Sequence, residues 1–241
     1  MNAAIDLGNT HCKIGIFDGD QLIDQLSTSH LKDVRKVLLQ HDVQHVILSK
    51  VGHYTPNFLE ELTSSFQLIL LDHQTHLPIR IRYKTPSTLG ADRIAAVVGA
   101  YRLYPGATNL VIDLGTCITY DVVDAEGTYQ GGGISPGIHM RFQALHHFTA
   151  GLPSLSTPDP EAPFVGASTE ECIQAGVLHG VWFEIEGFIE KYSQLFGGIN
   201  VVLCGGDSIF FESKLKPHIF VNRNLTMWGL NRILLNNVCE E

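Results

Sequence analysis

The chain has 241 residues, 44% hydrophobic and 17% charged, a composition that can bury a sizeable core in one large or two small soluble domains. Its 25 acidic against 16 basic side chains give a net charge of −9, which disfavours non-specific binding to nucleic acid or anionic membranes and leaves room for a local basic pocket. Five scattered cysteines without a Cys-x-x-Cys pair argue against a disulfide framework or a metal cluster.

No apolar run reaches the roughly 18–20 residues of a membrane helix, and a strand opening almost at Met1 leaves no room for a signal peptide. A cytoplasmic protein with reduced thiols is the expectation. The adjacent pair His146-His147 points two ways on a helix, so it reads as a solvated helix end and not as a metal site.

Residues 3–7, 12–17 and 21–27 read as three strands, with a tight turn at Asp18-Gly19-Asp20. Leu31, Val34, Val37 and Leu38 have the spacing of an amphipathic helix over 31–41. A buried-type strand follows at 43–49, a helix at 56–66 and a strand at 67–71. An irregular stretch from Asp72 to Leu89 contains Pro78 and Pro86. Gly90-Ala91-Asp92-Arg93 opens a helix that ends near Pro105-Gly106.

The pattern then restarts. Strands are expected at 109–113, 118–123 and 129–134, turning at Asp124–Gly127 and at Gly131–Gly133, with a helix over 138–147. The proline-punctuated stretch 151–165 is too long for a plain connection and reads as a functional or interface loop. Residues 169–195 predict a long helix or helix pair, 200–204 a strand, 208–215 a short helix, 219–221 a strand and 226–238 a closing helix. Strands followed by helices, twice, predict an α/β fold of two lobes, 1–106 and 107–241.

One phrase occurs in both halves: Ile5-Asp6-Leu7-Gly8-Asn9-Thr10 and Ile112-Asp113-Leu114-Gly115-Thr116. Each time a strand delivers an aspartate to a glycine turn with a hydroxyl residue. Such a turn offers backbone N–H groups to phosphate oxygens and a carboxylate to a metal ion. Lys13 adds a positive charge to the first copy, and Asp6 is placed to hold Mg²⁺ through water. A plain hairpin turn is the alternative for each copy, and their repetition favours two phosphate loops.

Asp92 near a helix start reads equally as a cap or as a catalytic carboxylate. Tyr83 lies on the loop leading to it. The glycine run 131–137 and Cys204-Gly205-Gly206-Asp207 permit close backbone approach, the latter suiting a nucleotide. Arg141 reads as a surface residue.

In this order the segments resemble the type III pantothenate kinases: Asp-Leu-Gly-Asn-Thr-His-Cys-Lys at 6–13, Tyr83 with Pro86, Gly-Ala-Asp-Arg at 90–93, and Asp-Leu-Gly-Thr at 113–116. The run Gly-Gly-Gly-Ile-Ser-Pro-Gly at 131–137, Ser168-Thr169 with Gly176, and Gly205-Gly206 complete a set that spans almost the whole chain.

The resemblance implies two ribonuclease-H-like, actin-like ATPase lobes with the active site in the cleft between them. It also implies transfer of the ATP γ-phosphoryl group to pantothenate, the first step toward coenzyme A. By position it makes Asp92 the catalytic base. Asp6, Leu7, Gly8, Asn9, Thr10, His11, Cys12, Lys13 and Thr116 become the ATP phosphate contacts. Tyr83, Gly90, Ala91, Asp92, Arg93 and Thr169 become the pantothenate shell. Asp113 becomes the ligand of a monovalent cation, K⁺ or NH₄⁺, beside Mg²⁺. A homodimer is implied too, with no nucleic-acid or membrane partner expected.

Arg93 is the candidate cation for the substrate carboxylate, or a brace for its loop. Two departures stand out. Cys204 replaces the threonine of the usual Thr-Gly-Gly, losing a hydroxyl hydrogen bond, and the chain looks somewhat short. The rival readings are another phosphotransferase of the same superfamily, acting on a sugar, acetate or polyphosphate, and a nucleotide-dependent accessory protein.

Overall fold

The computed structural model of the chain describes residues 1–8, 12–50, 56–214 and 219–238. Two compact units emerge. The first comprises Met1–Ala107, Val123–Gly131 and Asn224–Glu241, and the second Thr108–Val122 and Gly132–Arg223.

In the first unit β1 (Asn2–Leu7), β2 (Cys12–Asp18) and β3 (Gln21–Thr28) form an antiparallel meander. Two helical crossovers, α1 (Leu31–Gln40) and α2 (Pro56–Ser65), add β4 (His45–Lys50) and β5 (Gln67–Leu70) in parallel. The strand order is β3-β2-β1-β4-β5. β1 is central, which is why Ala3, Ala4 and Ile5 are buried on both faces of the strand. β3 is an edge carrying Asp24, Gln25 and Ser27, polar chemistry that discourages further strand pairing. Ile5, Ile14 and Leu48 of the sheet pack with Val34, Leu38 and Leu62 of α1 and α2.

α3 (Ala91–Leu103) and α6 (Leu225–Val238) complete this unit. Their backbones approach closely, because β-carbons at Gly229 or Gly99 would collide with the carbonyls of Ala95 or Leu225. Leu225, Leu230, Ile233 and Leu234 are fully buried, each stabilising by roughly 1.5–3 kcal/mol relative to exposure. A lobe division at 106 and 107 does not describe this closing helix, whose apolar face belongs with α3. Asn231 Nδ2 donates to the Gly19 carbonyl at 2.9 Å, and Arg102 pairs with Asp20 at 2.6 Å.

The second unit repeats the plan. β7 (Asn109–Leu114), β8 (Cys117–Val123), β9 (Thr128–Pro136, its first residues counted with the first unit), β10 (Asn200–Cys204) and β11 (Ile219–Val221) lie in the order β11-β10-β7-β8-β9. β10 runs parallel to both β7 and β11. α4 (Ile138–His147) and the single 28-residue α5 (Thr169–Phe196) cover the sheet, burying Val177, Val181 and Ile185 against Ile112, Tyr120 and Leu203. α5 starts at the Ser168 cap and stops at Gly197, whose φ of 73° ends it in the left-handed conformation.

Two sequence expectations are corrected. Gly131–Gly133 is no turn but part of β9, where Gly132 clears the Tyr120 carbonyl at a spacing no β-carbon would allow. The irregular stretch 72–89 hides the two-residue strand β6 (Arg80–Ile81), which pairs with Thr128 and Tyr129 at the start of β9. A 3-10 turn at Pro86–Thr88 follows it. The short helix expected at 208–215 is a 3-10 segment at Gly206–Lys214.

Candidate functional site

In the first unit Asp6 stands opposite Lys13 of β2 and in register with Ser49 of β4. Its Oδ1 is shut off from solvent and lacks a hydrogen-bond partner among the described residues. The same holds for the Oγ of Ser49, which is wholly buried. Burial pushes the Asp6 carboxyl up from 3.8 to about 6, the charge of Asp92 adds to the rise, and Lys13 opposes it. The Ser49 hydroxyl is close enough to moderate the shift without forming a hydrogen bond.

An orphaned buried carboxylate oxygen is costly unless something binds it. A divalent cation suits it, and no group of three or more His, Cys, Asp or Glu gathers among the described residues. An ion here would therefore complete its shell with phosphate oxygens and water, as Mg²⁺ prefers.

Leu7 and Cys12 pair across β1 and β2 with both side chains in the core, so they can offer a ligand only their backbones. Burial pushes the Cys12 thiol up to about 12, with Asp6 adding to it. Gly8 follows β1 half-buried, whereas Asn9, Thr10 and His11 lie outside the described residues.

At the other edge of this cluster Gly90 is the N-cap of α3 and supplies no side-chain cap. Asp92 is therefore not the cap residue. It sits in the first turn after Ala91, and its Oδ1 accepts the Arg93 backbone N–H at 2.8 Å. A β-carbon on residue 90 would stand 2.5 Å from that oxygen, so the carboxylate occupies space that only glycine leaves open.

Arg93 is 7% exposed and engaged within the fold, the disposition of a brace. Tyr83 is half-buried, its ring 6.0 Å from that of Tyr129. It borders a concavity of about 960 Å³ with Arg82, Lys84, Thr85 and Gln130, and two cations there suit a small anion.

In the second unit the end of β7 delivers Asp113, and the Gly115-Thr116 turn leads into β8. The Gly115 N–H donates to Cys117 O and the Gly137 N–H to Thr116 O, each at 3.1 Å. A β-carbon on Gly137 would collide with the Gly115 carbonyl. One on Gly205, at φ 86°, would collide with the Leu114 carbonyl and Asp113 Oδ1. Three glycine turns thus close around a half-buried aspartate and an exposed threonine.

Cys204 is buried beside Asp113 in the β7–β10 register, facing the core as a small apolar residue. Burial raises the Asp207 carboxyl, with His139 opposing. Thr169, the first residue of α5, lies on an apolar groove of about 690 Å³ with Leu145, Phe148, Leu152 and Ile173.

Sequence reasoning missed one cluster. Arg141 is not a surface residue: its Nη2 lies 2.6 Å from Glu184 Oε2 and its Nε donates to the Pro136 carbonyl at 2.8 Å. Glu184 Oε1 also accepts from Tyr120 Oη at 2.8 Å and Ser135 Oγ at 2.5 Å. Burial pushes the Glu184 carboxyl up, but these partners outweigh it and hold it below the usual range. The available signal was helical phase, since Glu184 falls three residues after Val181 and seven after Val177, on the buried face of α5.

Comparison with known proteins gives this geometry a context. The sequence model of type III pantothenate kinases matches residues 3–191. A type III pantothenate kinase from Cytophaga hutchinsonii is 48% identical over 99% of this chain and 100% of its own length. One from Phocaeicola vulgatus is 44% identical over 98% and 99%. Against these relatives the chain is not short.

Among solved structures, a protein from Campylobacter jejuni named for the Baf family of transcriptional activators aligns at TM-score 0.64 and 20% identity, over 98% of this chain and 99% of that one. A glucokinase from an Antarctic psychrotroph aligns at 0.54 and 13%, over 98% of each chain. Likeness at that distance speaks for the fold alone, a mixed α/β architecture of the actin-like, two-lobed class. The match across most of the sequence and the high identity of full-length relatives establish that the chain belongs to the type III pantothenate kinases.

Proposed function

We propose that this chain transfers the γ-phosphoryl group of ATP to the primary hydroxyl of pantothenate, giving 4′-phosphopantothenate, and that Asp92 is its catalytic base. Within the molecule the reading is carried by Asp92, whose carboxylate is accommodated only because residue 90 is glycine, close enough to Asp6 for its charge to be felt there.

Asp92 orients the pantothenate hydroxyl. The hydroxyl oxygen forms a bond to the γ-phosphorus as the bond to the β,γ-bridging oxygen breaks. ADP leaves with that electron pair, and the proton passes to Asp92. The transition state of such a transfer is loose, so the base acts late and needs no unusual strength. Residues 7–13 and Thr116 hold the phosphates, and the orphaned Oδ1 of Asp6 would hold Mg²⁺ through water. Mg²⁺, when bound, offsets the charge of the triphosphate. The resemblance assigns Tyr83, Gly90, Ala91, Arg93 and Thr169 to pantothenate, with Arg93 bracing its loop from inside.

Asp113, closed over by Gly205, takes a monovalent cation, K⁺ or NH₄⁺. The exposed Phe148, Phe164 and Val165, at 81%, 66% and 80%, give the second unit an apolar surface that a second copy would cover, and the working form is a homodimer. No helix is long and apolar enough to cross a membrane among the described residues, and the reading assigns the enzyme to the cytoplasm.

ADP release measured with ATP and Mg²⁺, with and without pantothenate, in potassium and in sodium buffers, tests the whole assignment. Pantothenate-dependent release in potassium that fades in sodium is expected. Release indifferent to pantothenate would overturn the substrate, and equal rates in both salts would overturn the cation.

A further inference from the structure

Glu184 lies on α5, outside every segment to which a role has been given. It nevertheless holds three side chains from three other elements: Tyr120 from β8, Ser135 from the end of β9 and Arg141 from α4. Each leads back to the Gly115-Thr116 turn. Tyr120 lies four residues beyond Thr116 on the strand that leaves the turn, and its ring is stacked on Phe188 of α5 at 3.9 Å. Ser135 and the Arg141-held carbonyl of Pro136 immediately precede Gly137. The Gly137 N–H then binds the Thr116 carbonyl, at a corner where a β-carbon would collide with the turn.

We infer that Glu184 is a positioning residue for the second phosphate loop. One carboxylate on a rigid 28-residue helix fixes both the strand leaving Thr116 and the corner seated against it. The inference rests on the reading that Thr116 contacts the ATP phosphates. Its chemistry demands an anion at residue 184. The hydrogen bond from Arg141 is charge-assisted, and the arginine stays turned toward Pro136 only while that partner remains. A neutral amide keeps the shape but has a single accepting oxygen, so its N–H₂ faces either Arg141 or the Tyr120 and Ser135 hydroxyls, which are donors here.

The test compares steady-state kinetics of the full-length wild type with Glu184→Gln, Thr116→Ala and Ile185→Val. The last trims a buried neighbour on the same helix and controls for a general loss of stability. Glu184→Gln should raise KM for ATP about tenfold while KM for pantothenate changes less than about twofold, as Thr116→Ala should do, because a charge-assisted contact that orders a binding turn is worth about that factor. Ile185→Val should lower Tm and leave both KM values in place. Should Glu184→Gln fail to fold, Ser135→Ala removes one hydrogen bond and should raise KM for ATP about two- to threefold by the same route.

If Thr116→Ala raises KM for ATP while folded Glu184→Gln and Ser135→Ala do not, the inference is overturned. Equal increases in both KM values for Glu184→Gln, matched by Ile185→Val, would overturn it as well. If Thr116→Ala leaves KM for ATP unchanged, the phosphate-loop reading fails, and the inference fails with it.

Discussion

The Asp92 carboxylate lies over the α-carbon of Gly90, its Oδ1 2.5 Å from where a β-carbon would stand. The first residue of Gly-Ala-Asp-Arg thus permits the placement of the third. The Gly90 backbone, at φ −59° and ψ 134°, is one that alanine adopts without strain. Gly90→Ala should therefore fold normally and still push Asp92 aside. A displacement of this size should lower kcat by about 10²-fold, measurable as ADP release beside an unchanged melting curve. Near-normal kcat would show that the carboxylate position does not matter.

Asp92→Asn keeps the shape and removes the proton acceptor. Turnover should fall by at least about 10²-fold, the usual contribution of general base catalysis. Stability should change by no more than about 1 kcal/mol, because Asp92 is not the cap of α3. Single-turnover kinetics and a thermal melt on the same sample decide the matter. An active variant would remove Asp92 as the base.

Asp6 gives a prediction in pH. Its folded-state carboxyl is raised to about 6 from 3.8, so the folded protein binds the proton more tightly than the unfolded chain. Stability from this group is present in full below the lower value and is lost as pH rises through the upper one. The loss is on the order of 2–3 kcal/mol without a bound cation. Asp6→Asn, free of that loss, should be the more stable protein at pH 7–8 and should respond far less to Mg²⁺ with ATP. Melting temperatures measured from pH 4 to pH 8 would expose a wild type that does not weaken.

Asp113→Ala should flatten the dependence of rate on potassium while leaving the protein folded, since Asp113 is half-buried at a strand end and not in the apolar core. A potassium titration at saturating ATP measures it. An unchanged half-saturation would remove Asp113 as the cation ligand.

The two Asp-x-Gly phrases and the strand meanders around them were legible because alternation and glycine turns are local signals. Gly90 was legible as a motif letter, but its reason was not, since the carboxylate folds back from two residues ahead. Gly132 misled: a glycine within a strand can mark close backbone approach instead of a turn, and the Tyr120 carbonyl it clears lies on another strand. β6 stayed hidden because a two-residue strand takes its definition from a partner nearly fifty positions away. Arg141 and Glu184, 43 residues apart in sequence, meet only after α4 and α5 pack.

The interlock of Gly99 with α6 bears on synthesis. Residues 224–238 are synthesised after the whole second unit, yet they supply the surface that α3 needs. Until they emerge, the apolar Ile94–Ala100 segment of α3 lacks its mate, while the whole second unit has already been made. The first unit therefore cannot complete its α3–α6 packing until the second unit has been synthesised, although N-terminal domains generally fold first.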